Sequence, residues 1–166
     1  MLEQSTISLP AEIPLRVKAG EGTLDFSMAF KDAVNLPQQI RDALKILPGE
    51  NYLEMHLNNL VQAETPYKML KMFKTGFRQI AKYISENRLK PKFLVGITYK
   101  QLADAASIFK FKTILVTDRI SEHELTRIKI GWRRTSKGQN IGLMGPVTAF
   151  YQPGNEFMRN FNPDIN

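Results

Sequence analysis

The sequence predicts an α/β fold: a single three-layer domain around a central, mostly parallel sheet, with an N-terminal β-hairpin at an edge. Three observations carry this expectation. Strand-like and helix-like segments alternate between residues 51 and 118. Two of the strand-like segments are short continuous apolar runs, the pattern of strands covered on both faces. The helical segments between them act as crossovers, which join parallel neighbours. A chain of 166 residues, 43% hydrophobic and 23% charged, suits one domain with a sizeable core.

The expected boundaries are a flexible leader over 1–12, the α/β domain over 13–151 and a polar C-terminal tail over 152–166. "IPLRVKAGEGTLDFSMAF" (13–30) reads as two extended segments around a Gly-containing loop, Gly20-Glu21-Gly22. "NLPQQIRDALKILPG" (35–49) is helical, with Pro37 in the first turn and Pro48-Gly49 as the stop. "GENYLEMHLNN" (49–59) starts after that turn and gives a strand over about 51–57.

"TPYKMLKMFKTGFRQIAKYISEN" (65–87) carries the strongest helical signal, with Thr65 as cap and Pro66 at the first position. At about 100° per residue, Leu70, Phe73, Phe77, Ile80, Ala81 and Ile84 share one stripe. Lys68, Lys71, Lys74, Arg78 and Lys82 form a cationic ridge beside it. "KFLVGIT" (92–98) reads as a buried strand, "YKQLADAASIFKF" (99–111) as a helix and "KTILVTD" (112–118) as another buried strand. "SEHELTRIKIGWRR" (121–134) opens with the capping-box pair Ser121 and Glu124 and continues with helical period. A loop over 135–142 and a last strand over 146–151 complete the order.

Composition narrows the function classes. The chain has no cysteine, which excludes disulfides, thiolate metal sites and a cysteine nucleophile. It has no apolar run of the roughly 18 residues that span a bilayer, and its first residues lack the basic and apolar regions of a secretory signal. The expected location is the cytoplasm, including the inner face of the membrane. The net charge of +7 points to anionic partners: a phosphorylated small molecule, a membrane surface or nucleic acid.

Ligands of open parallel sheets bind beyond the carboxyl ends of the strands. That rule gathers His56 and Asn58, Gly96 and Thr98, and Asp118 and Arg119 at one edge. Strand alternation puts Glu54 and His56 on the same face, where a carboxylate can orient an imidazole as a general base requires. The same pair also suits an ordinary contact on a half-exposed strand. Thr98 can cap the following helix or touch an anion, and Gly96 can let that helix pack closely. Lys71 and Arg78 of the cationic ridge can face phosphates. Trp132, flanked by Arg133 and Arg134, suits stacking on a base, anchoring at a membrane interface or filling the core. No nucleotide-binding glycine fingerprint occurs, and neither histidine has the spacing of a metal site, so neither a cofactor nor a metal is expected.

From Gly49 to Val116 the chain resembles the YkoP-like family of small bacterial α/β domains. The resemblance is carried by "GENYLEMHLNN", by the lysine-rich "PYKMLKMFKTGFRQIAKYI" and by "FLVGITYKQLADAASIFKFKTILV". It implies that His56, Asn58, Gly96 and Thr98 belong to a family motif, and it hints at cell-envelope work without an activity. The leading expectation is a binding or accessory domain for a phosphorylated, envelope-lipid or glycan ligand. The alternatives are a hydrolase or transferase with His56 as base, and a nucleic-acid-binding protein acting through its basic helices.

Overall fold

The computed structural model of the chain describes residues 13–19, 22–60, 66–122, 125, 126, 128 and 146–162. Strands β1 (Ile13–Ala19) and β2 (Gly22–Asp32) form the expected antiparallel hairpin, and β1 is an edge of the sheet. A 3-10 turn (Ala33–Asn35) follows, with the Asp32 carboxylate accepting from Val34 N–H. The same carboxylate accepts from Gly49 N–H at 3.0 Å, where glycine supplies the positive φ of +91°. Asp32 thereby joins the two ends of the segment that holds helix α1 (Gln38–Leu44).

Strand β3 (Asn51–Leu60) pairs with β2, and helix α2 (Pro66–Glu86) leads to β4 (Phe93–Tyr99). Helix α3 (Lys100–Ala106) and a 3-10 turn (Ser107–Phe109) lead to β5 (Lys112–Leu115). Strand β6 (Val147–Pro153) and helix α4 (Gly154–Phe161) close the described chain.

The fold is mixed α/β, but the sheet is not mostly parallel. Its order is β1-β2-β3-β4-β6-β5, and β3 with β4 is the one parallel pair among the described strands. The crossover pattern predicts β5 beside β4. Strand β6 takes that place instead, antiparallel to both. Strand β5 becomes an edge with Lys112, Thr113 and Leu115 exposed, not the buried strand that its apolar run suggested. Because β6 is antiparallel to both neighbours, β3, β4 and β5 still run the same way. Their carboxyl ends lie at one end of the sheet, as the sequence led us to expect.

Helices cover both faces. On one, Met28, Leu53, Met55 and Leu94 of the sheet pack against Met72, Phe77, Ile80, Ala81 and Ile84 of α2 and Phe157 and Phe161 of α4. Phe77 is the hub of an aromatic cluster, with ring centroids 5.3 Å from those of Phe109, Phe111 and Phe161. On the other face, Tyr52, Val95 and Ala149 lie beneath Leu36 and the α1 residues Ile40 and Leu44. The stretch expected as a polar tail thus supplies α4. Its Phe157 and Phe161, one helical turn apart, face the core despite the polar residues around them.

Candidate functional site

The site begins where two neighbouring strands part. The parallel pairing of β3 with β4 covers Tyr52–Phe93, Leu53–Leu94 and Glu54–Val95 and then stops. Both strands continue, β3 held by β2 and β4 by β6, so the sheet forks beyond Glu54 and Val95. One more residue on β3 than on β2 opposes the step from Asp25 to Phe26, a bulge at Asn58. Bulges bend the strand that carries them, so the bulge reinforces the divergence.

Glu54 stands at the fork. Its Oε2 accepts from Tyr52 Oη at 3.2 Å and pairs with Lys31 Nζ at 3.0 Å. Its Oε1 pairs with His56 Nε2, whose residue is buried beside Ser27 across the strand pair. Burial pushes the Glu54 carboxyl up. The His56 hydrogen bond and charge, with the Lys31 charge and hydrogen bond, outweigh that and hold it at about 2. Glu54 is therefore a fixed anion that orients its neighbours. The contact with His56 is the one that strand alternation predicts.

A cavity of about 310 Å³ lies on the same face, directly at the fork. Tyr52, Glu54, Val95 and Ile97 form its floor, and Lys31 adds a cation from β2. Asn35, Leu36 and Pro37 also line it, with Arg119, Ile120 and Ser121. Of the residues that the strand-end rule gathers, Arg119 is on this lining, together with Glu54, while His56, Gly96, Thr98 and Asp118 are not among its lining residues.

The other expected residues are placed differently. Gly96 faces Phe150 across β4 and β6, and a Cβ there would lie 2.1 Å from Phe150 Cζ. Its small size makes room for that ring. Thr98 sits within β4 opposite Thr148, and α3 starts only at Lys100 with Tyr99 as its cap residue, so Thr98 does not cap that helix. Asp118 accepts from the backbone N–H of Gln39 at 2.7 Å, capping the first turn of α1 from a distant part of the chain. Lys71 and Arg78 are exposed on α2, which packs on the opposite face of the sheet from the cavity. Asn58 is described only in its backbone, and Trp132 and Arg134 lie outside the described residues.

One partner of the Glu54–His56 pair escaped a reading of β3 alone. Lys31 comes from β2, where it sits opposite Tyr52 in the antiparallel register. The period of two along β2 carried the signal, but only with the register known. The lining residues 35–37 are placed by α1 and the turn before it, and no pattern in the sequence joins them to β4.

No family model matches the chain, and no curated protein matches it in sequence. Among solved structures, the chain is similar to FeeM, an N-acyl amino acid synthase from uncultured soil microbes. The two are 14% identical with a TM-score of 0.51, over 93% of this chain and 78% of that one. At this identity the likeness speaks for the fold.

Proposed function

We propose that the chain is a transferase that moves an activated acyl group onto an amine, with His56 as general base and Glu54 as its orienting partner. The observation that carries this reading is the pair of buried His56 and half-buried Glu54 at the fork of β3 and β4, with Glu54 on the cavity lining. The fold likeness to an N-acyl amino acid synthase supports amide formation as the chemistry. The expected affinity for an anionic ligand becomes part of this reading, through Arg119 on the cavity lining.

The chemistry asks for few groups. A free carboxylate resists attack by an amine, so the donor is an activated acyl group such as a thioester. The amine is an ammonium near neutral pH and attacks only after losing a proton. Glu54, held at about 2, is too weak a base for that task. Its contact with His56 Nε2 fixes the orientation of the imidazole. The ammonium gives its first proton to solvent, and His56 takes the second from the attacking nitrogen as the C–N bond forms. The bond to the leaving group then breaks, and that group departs with the electron pair and receives the proton held by His56. With no cysteine in the chain, no thiol-linked acyl intermediate forms on it. The diverging main-chain edges beyond Glu54 and Val95 suit an extended donor, as strand edges suit extended peptides.

The test is product formation. The purified chain is incubated with acyl thioesters of graded length and the common amino acids, and amides are sought by mass spectrometry. The reading requires enzyme-dependent amide from at least one pair. No amide above the uncatalysed background from any pair would contradict it.

A further inference from the structure

The charges on the cavity lining are unequal in their partners. Glu54 and Lys31 pair with each other at 3.0 Å. Arg119 also lines the cavity, and it makes no hydrogen bond or ion pair among the described residues. A guanidinium presents donors in a planar fork that matches a carboxylate. Of the charged side chains on the described lining, Lys31 and Glu54 are paired, and Arg119 is the one that stands open to a carboxylate.

The backbone that carries Arg119 is clasped. Gln39 Nε2 donates to Leu115 O at 2.6 Å, and Gln39 Oε1 accepts from Thr117 N at 2.7 Å and Asp118 N at 3.2 Å. Asp118 Oδ2 accepts in turn from Gln39 N at 2.7 Å. One glutamine in the first turn of α1 therefore fixes the segment leading into Arg119. The rest of the lining includes Leu36, Pro37, Val95, Ile97 and Ile120, all apolar. Its volume of about 310 Å³ is at the small end of ligand pockets, which run from about 300 to 1,000 Å³.

We propose that this cavity receives an α-amino acid with an apolar side chain, that Arg119 reads its carboxylate, and that the Gln39–Asp118 clasp positions Arg119. The inference rests on the transferase reading, in which this amino acid is the acceptor. It also makes the chain discriminate against amines that lack the carboxylate.

Calorimetry with the full chain tests the site without any turnover. Leucine, valine and phenylalanine are each compared with their carboxamides. Loss of a charge-assisted pair predicts that the amides bind about 10- to 100-fold more weakly. Arg119→Gln lowers amino-acid affinity by the same factor and abolishes the preference, with amide affinity unchanged. Gln39→Ala weakens the amino acid more than the amide and speeds hydrogen exchange over 115–119. Equal binding of acid and amide, a preference that survives Arg119→Gln, or no binding of any of the three amino acids overturns the proposal. Carboxylate preference without acyl transfer overturns the transferase reading and keeps the site. Transfer to amino acid and amide alike overturns the site and keeps the transferase.

Discussion

Replacing Glu54 with glutamine removes one largely buried charge and keeps the shape of the side chain. The folded carboxyl lies at about 2 against an ordinary 4.5. At about 1.4 kcal/mol per unit, that depression corresponds to about 3 kcal/mol of stability. Because the folded value is depressed, the contribution is present in full above pH 4.5 and is lost as pH falls towards 2. Glu54→Gln is therefore less stable than the parent by about 3 kcal/mol at pH 7, and the gap closes as pH falls from 4.5 to 2. With a urea dependence of about 2 kcal/mol per molar, the midpoint shifts by about 1.5 M at pH 7. Urea unfolding followed by circular dichroism at pH 7, 5, 4 and 3 measures it. A gap that stays constant with pH, or equal midpoints at pH 7, refutes the reasoning that Lys31 and His56 hold the carboxylate.

Two further substitutions test the scaffold. Gly96→Ala pushes a methyl group into the Phe150 ring and costs about 1–3 kcal/mol, and Phe150→Leu in the same chain recovers most of it. Thermal melts of the single and double variants check this, and an unaltered Gly96→Ala melt contradicts it. Phe77→Ala opens the aromatic hub shared by α2 and α4 and costs about 3–5 kcal/mol by urea unfolding. A loss below about 1 kcal/mol shows that the hub collapses around the void.

What the sequence made legible was local. The alternation along β3 set Leu53 and Met55 against Glu54 and His56, and the fold puts the first pair in one core and brings the second pair into contact. The period of α2 likewise separated Phe77, Ile80, Ala81 and Ile84 from exposed Lys74, Arg78 and Lys82. Long-range pairing was not legible. Nothing in "KTILVTD" says that a strand from residues 147–153 takes the place beside β4, and that placement makes the sheet mostly antiparallel. Helix α4 was hidden by its polar residues, although Phe157 and Phe161 at a spacing of four carried its signal. Asp118 was found at the right end of the sheet but with a different task. Its partner, Gln39, lies in a helix whose position across the sheet no periodicity gives.

The central claim is that His56 moves a proton during acyl transfer, and His56→Gln tests it most directly. The measurement is the initial rate of amide formation at saturating amino acid and thioester, with circular dichroism and a thermal melt on the same sample. The account predicts a rate lowered by about 10²- to 10⁴-fold in a chain that remains folded. A folded His56→Gln chain that works within about twofold of the parent rate contradicts it, because a general base supplies far more than that.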